Sequence, residues 1–120
     1  MYSQFTRKSF RSKSKYGNQT KQYNGRSYDS IKEAQVAEDL DWQMKAGEIK
    51  EIIPQFKISL DVNGKHICNY YVDFKVIKAD DSIQFIEYKG FETPDWKLKW
   101  KLLEALLDDI EPGAEMIVIK

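Results

Sequence analysis

Residues 56–90 read FKISLDVNGKHICNYYVDFKVIKADDSIQFIEYKG, and the period of two in this stretch decides the fold. Apolar and polar residues alternate over 56–61, Asn63-Gly64 is the dipeptide of a tight hairpin turn, and 67–78 bring the chain back as a second strand. A short turn over 79–82 leads into a third strand, 83–89, which Gly90 breaks. Strands joined by so short a turn pair with each other.

On either side of this meander the period changes to that of a helix. Upstream, Ser30 is a good N-cap, Ala34, Ala37, Leu40 and Met44 form one apolar stripe, and Gly47 ends the helix near Ala46. Downstream, Thr93-Pro94 opens a second helix with Thr as N-cap and Pro at the first helical position. Its broad apolar arc includes Trp96, Trp100, Leu103 and Leu107, and Pro112-Gly113 stops it ahead of a short last strand, 116–119. Helix, three strands, helix, strand is the order of an α/β domain with a mixed sheet of about four strands flanked by helices. At 120 residues the chain is long enough for one core and too short for two.

Ahead of this domain, which the pattern places at 23–120, residues 1–22 are rich in Ser, Lys, Gln and Asn and lack hydrophobic periodicity, so a flexible basic N-terminal arm is expected. Asn24-Gly25 marks a turn between two short extended pieces. The formal net charge of zero conceals an asymmetry. Arg7, Lys8, Arg11, Lys13, Lys15, Lys21 and Arg26 fall within residues 1–28 beside no acid, so the remaining body is acidic by the same amount. A basic arm on an acidic body points to nucleic acid, because each Lys or Arg near a phosphate adds salt-dependent affinity; a solvated, solubilising tail has the same composition.

Several function classes drop out. No apolar run reaches bilayer length and the N-terminus has no signal-peptide stretch, so no membrane partner is expected. The single cysteine, Cys68, cannot form an internal disulfide, which makes the cytoplasm the expected compartment. His66 and Cys68 face alike on one strand without a partner pair, which argues against zinc. The six glycines are scattered rather than gathered in a phosphate-cradling loop.

The chemistry lies in Glu87-Tyr88-Lys89, at the end of an otherwise apolar strand. Alternation puts Glu87 and Lys89 on one face and Ile86 and Tyr88 on the other. On the preceding strand Val72, Phe74 and Val76 alternate with Tyr71, Asp73 and Lys75, so Asp73 is expected beside Glu87. Two carboxylates and an ammonium at one spot suit phosphodiester hydrolysis: hard oxygen ligands for Mg²⁺, and a cation for the attacking water or the developing negative charge. Taken bare, the same three residues also make a cross-strand ion pair on a solvated face. Glu33 lies within the apolar arc of the first helix and Glu38 outside it. A carboxylate on a core-facing stripe is costly unless paired or metal-bound, yet Ser30-Ile31-Lys32-Glu33 is also a capping box, and both readings stay open. Lys97 and Lys101 fall on the polar face of the second helix. Lys99 falls nearer the apolar arc, as an auxiliary phosphate contact or as a stem lying over apolar surface.

Glu33 on a helix, Asp73 on a strand and Glu87-Tyr88-Lys89 on the next strand resemble the PD-(D/E)XK nuclease superfamily. More narrowly, Tyr28-Asp29-Ser30-Ile31-Lys32-Glu33-Ala34, Lys45-Ala46-Gly47-Glu48-Ile49, Pro54-Gln55-Phe56, Tyr71-Val72-Asp73-Phe74 and Glu87-Tyr88-Lys89-Gly90 resemble small phage endonuclease I-like proteins, a group related to Holliday-junction resolvases. The resemblance spans roughly residues 15–120. It implies a restriction-endonuclease-like α/β core, Mg²⁺ or Mn²⁺ as cofactor, and hydrolysis of DNA, duplex or branched, in the cytoplasm of a bacterial host. Carried over residue by residue, Asp73 is the central metal ligand, Glu87 the second, the Tyr88 backbone carbonyl a further one, Lys89 the catalytic lysine and Glu33 the helix-borne acid. Gln55 stands where related nucleases place a polar residue near the scissile phosphate. Val72 precedes Asp73 where the superfamily's name has proline, an absence that is frequent there. A resolvase needs two active sites, so a homodimer belongs to the same expectation. The rival readings are a nuclease-like fold that holds nucleic acid without cutting it, and a protein-interaction subunit.

Overall fold

The computed structural model describes residues 21–23, 26–28 and 31–120, in two compact units that divide after Glu48. In the first unit β1 (Lys21–Tyr23) pairs antiparallel with β2 (Arg26–Tyr28), with Tyr23 opposite Arg26. These are the two extended pieces expected on either side of Asn24-Gly25; Lys21 and Gln22, expected within the arm, belong to the first of them. The rest of the arm, with Arg7, Lys8, Arg11, Lys13 and Lys15, lies outside the described residues.

Helix α1 (Ile31–Lys45) follows. It buries Ala34, Val36, Ala37 and Leu40, while Met44 is only half-buried. At its C-terminus Gly47 adopts φ +86° and donates to the Met44 carbonyl (3.0 Å), and the Glu48 amide reaches back to Gln43 (2.9 Å). These two bonds make a Schellman cap, and the left-handed residue in such a cap favours glycine because it has no Cβ to clash. Asp41 is buried as well, paired with Lys45 one turn on at 3.1 Å.

The second unit is a four-stranded mixed sheet in the order β3-β4-β5-β6. Strands β3 (Ile49–Val62), β4 (Lys65–Lys78) and β5 (Ile83–Tyr88) run antiparallel in sequence, and β6 (Glu115–Ile119) returns parallel to β5 after helix α2 (Pro94–Ile110). The β3–β4 turn is Asn63-Gly64 with φ of +52° and +78° and Val62 opposite Lys65, the two left-handed residues of a hairpin turn that matches strand twist. Strand β3 begins seven residues before the expected Phe56. Pro54 hides this extension from a sequence reading; it is tolerated because β3 is an edge strand, where a missing amide need not interrupt the sheet.

The core of this unit joins Ile58, Leu60, Tyr70, Val72 and Phe85 of the sheet to Trp96 and Leu103 of α2. Val72, Phe85 and Leu103 are fully buried, each contributing roughly 1.5–3 kcal/mol by leaving water. Rings interlock there: Trp96 stacks on Trp100 at 5.6 Å between centroids and Phe56 on Phe85 at 6.2 Å. The simple alternation expected for β4 does not hold along its whole length. Val72 packs with Phe85, but Phe74 pairs with Ile86, whose side chain points away from its neighbour Phe85. The strand therefore changes faces at Asp73, and the adjoining β3 does so at Gln55, which has φ +51°.

Thr93 caps α2 as expected, its hydroxyl accepting from the Trp96 amide at 3.2 Å with Pro94 next in line. Thr93→Ala is expected to lower unfolding free energy by about 1 kcal/mol, read from urea midpoints; Thr93→Ser should lose much less. Among the described residues no helix is long and apolar enough to cross a membrane.

Candidate active site at the end of the β4–β5 ladder

The backbone pairing of β4 with β5 ends at Phe74 opposite Ile86, and two carboxylates continue it. The Asp73 amide donates to Glu87 Oε1 at 3.2 Å, and the Tyr88 amide donates to Asp73 Oδ2 at 2.8 Å. Each acid thus accepts an amide of the other's strand, which ties the two head groups together. Lys89 brings its ammonium to 3.7 Å from Glu87 Oε2 and lies over the Trp96 ring, 5.5 Å from the centroid. Its own amide is tied to the Ile119 carbonyl of β6 at 2.9 Å. Gln55, at the face change of β3, reaches Asp73 Oδ1 at 3.4 Å.

Glu87 is only 4% exposed. Burial, and then the neighbouring Asp73 charge, push its carboxyl up to about 7, against the opposing pull of a Tyr70 hydrogen bond, the Asp73 amide and Lys89. Glu87 is buried and Asp73 half-buried, and the two carboxylates offer hard oxygens of the kind Mg²⁺ and Mn²⁺ take. Tyr70 is buried too, and burial followed by the Glu87 charge pushes its phenol well above the usual tyrosine range. Its hydroxyl accepts from Trp96 Nε1 at 2.8 Å. Glu87 and Lys89 line a cleft of ≈ 310 Å³ together with Tyr70, Trp96, Thr93 and Lys99.

The fold therefore brings Asp73, Glu87 and Lys89 together, gathers Lys99 to the same cleft and sets Gln55 against Asp73. The Tyr88 carbonyl belongs to the last residue of β5, next to Glu87 in the chain, and the amide of the same residue binds Asp73. Glu33 is half-buried in the first turn of α1, in the other unit; Ser30, its partner in the capping-box reading, lies outside the described residues. Among the described residues no three His, Cys, Asp or Glu side chains form a group that could hold a metal ion. Tyr70 carries no site signal in the sequence, where Trp96 stands only within the apolar arc of α2. Nothing in the period of β4 distinguishes Tyr70 from an apolar neighbour, because its polarity is a single atom at the tip of a buried ring.

Residues 13–116 match the family model described as "protein of unknown function (DUF1064)". The chain belongs to this family. The DUF1064 match takes in every residue of the site, from Gln55 through Asp73 and Glu87 to Lys99. No curated protein and no solved structure matches this DUF1064 chain.

Proposed function

We propose that this protein is a metal-dependent endodeoxyribonuclease with a restriction-endonuclease-like core, hydrolysing phosphodiester bonds of duplex or branched DNA in the cytoplasm of a bacterial host. One observation carries the reading: reciprocal amide bonds tie Asp73 and Glu87 together with Lys89 at 3.7 Å from Glu87, and Glu87 and Lys89 line a cleft. Asp73, Glu87 and the Tyr88 carbonyl would hold Mg²⁺ or Mn²⁺. When bound, such an ion acidifies water and withdraws charge from the reacting phosphate.

The chain's own groups supply the rest. Lys89, held between Glu87 and the Trp96 face, orients the attacking water or takes up the negative charge that develops on the phosphate. Water forms a new P–O bond as one ester P–O bond breaks, leaving a phosphate monoester on one DNA end and a hydroxyl on the other. Gln55, which donates to Asp73, would hold the phosphate near that acid, and Lys99 would add a cation from the cleft lining. Arg7, Lys8, Arg11, Lys13, Lys15 and Lys21 hold the DNA backbone through screened contacts. Branched substrates call for two such sites, hence a homodimer.

A second reading has an observation of its own. Both acids already satisfy backbone amides, work that a nuclease-like fold binding nucleic acid without cutting would still need. Incubation with linear, nicked and four-way DNA, each with and without Mg²⁺, separates the two. Cleavage that requires Mg²⁺ or Mn²⁺ is expected; retention of DNA with every strand intact at all metal concentrations selects the non-cleaving module.

Glu33 has its own test. A capping box accepts Gln as well as Glu, so Glu33→Gln should keep stability under either role. As a site acid the variant should lose roughly a hundredfold in turnover, the scale of a lost acid–base or electrostatic contribution. Wild-type turnover in Glu33→Gln would leave this residue a purely structural role.

A further inference from the structure

We infer that Trp96 is the positioning residue of the site, a single indole that orients Glu87 through Tyr70 by its N–H and Lys89 by its ring face. The inference rests on the nuclease reading and assigns parts of the site that the motif residues do not include. Trp96 stands in the first turn of α2, with its amide fixed by the Thr93 cap at 3.2 Å and its side chain 8% exposed. From there it meets two groups on different strands.

The direction of the first contact follows from chemistry. An indole N–H can only donate, so the Tyr70 hydroxyl, 2.8 Å away, is the acceptor and its own proton is free to go elsewhere. Tyr70 and Glu87 line the same cleft, where the phenol's free proton faces a carboxylate whose ionisation a Tyr70 hydrogen bond favours. Trp96, Tyr70 and Glu87 thus form a buried one-way chain of donors ending on a carboxylate, with exposures of 8%, 5% and 4%. Chains of this kind fix the orientation of a ligating carboxylate, and their outer members commonly change metal affinity by about 10- to 100-fold when removed. The second contact is electrostatic. Lys89 Nζ lies 5.5 Å from the ring centroid, within the range of a cation–π attraction. That contact holds the ammonium at the cleft without neutralising it, as pairing with a second carboxylate would.

The two contacts can be cut separately. Trp96→Phe keeps a ring face for Lys89 and removes the N–H; Tyr70→Phe removes the hydroxyl that passes the bond on; Trp96→Leu removes both supports. Mn²⁺ binding to the full chain, read by electron paramagnetic resonance at pH 8, reports the first contact without any need for turnover. Single-turnover cleavage at saturating Mn²⁺ reports the second. We expect Trp96→Phe and Tyr70→Phe to bind Mn²⁺ about 10- to 100-fold more weakly, and Trp96→Phe to keep more of the saturated rate than Trp96→Leu. Trp96→Leu should also lose roughly 2- to 30-fold in saturated rate, the worth of one cation–π contact.

Wild-type Mn²⁺ affinity in both Phe variants overturns the inference, even if their melting temperatures fall, because a merely structural chain would lower stability alone. Trp96→Phe and Tyr70→Phe suffice for that decision should Trp96→Leu not fold. A wild-type protein that binds no Mn²⁺ and cuts no DNA overturns the nuclease reading instead, and is told apart by the wild-type control.

Discussion

Asp73→Asn is expected to cleave DNA on the order of a thousandfold more slowly than wild type in Mg²⁺ while remaining as well folded. Loss of a metal-ligating charge removes several kcal/mol of transition-state stabilisation, and each 1.36 kcal/mol is about tenfold in rate. The choice of Asn over Ala follows from the second task of this side chain. Asp73 Oδ2 accepts the Tyr88 amide at 2.8 Å, and Ala would leave that donor without its partner, at about 1–3 kcal/mol. Asn keeps a carbonyl oxygen for the amide and removes only the charge. Asp73→Ala should therefore lose both activity and stability, and Asp73→Asn activity alone. Single-turnover rates and thermal unfolding on the same preparations check both halves; an Asn variant within tenfold of the wild-type rate would remove Asp73 from the proposed mechanism.

In EDTA, stability should fall as pH rises from about 4.5 to about 7, and Glu87→Gln should abolish this part of the profile. The Glu87 carboxyl titrates near 7 in the folded protein against an ordinary value of 4.5. Between those values the native state holds a proton that the unfolded chain has released, so unfolding becomes easier as pH increases. The direction is opposite to that of a salt-bridged carboxylate. Its size is set by about two and a half pH units at 1.36 kcal/mol each, roughly 3 kcal/mol, and it is complete above pH 7. The Glu87→Gln side chain would retain an oxygen for the Asp73 amide and carry no charge to desolvate, so the difference between the two profiles isolates this group from every other titration. Mg²⁺ at pH 8 should restore stability to wild type and not to Glu87→Gln, since a ligand that binds only the folded state stabilises it. The measurement is a set of urea midpoints at pH 5, 6, 7 and 8, with EDTA or Mg²⁺. Parallel profiles for the two proteins would show that Glu87 ionises as an ordinary carboxylate.

Local signals already specified much of this molecule. Asn63-Gly64 and the alternation around it dictate the hairpin, because left-handed turn residues and a period of two are properties of neighbours in the chain. Thr93-Pro94 dictates where α2 begins for the same reason. The pairing of Asp73 with Glu87 was also legible, since a four-residue turn between two strands fixes which residues meet. What the chain could not show locally is how this site is supported. The face change at Gln55 and Asp73 depends on two strands breaking step together, and a one-dimensional pattern reads each strand alone. The upward shift of Glu87 comes from burial among residues brought from β4 and α2. Tyr70 and Trp96 are twenty-six positions apart, and their bond exists only once α2 packs on the sheet. Side-chain alternation and caps are written in adjacent residues. Desolvation, and hydrogen bonds between distant side chains, are consequences of packing and were decided by the tertiary structure.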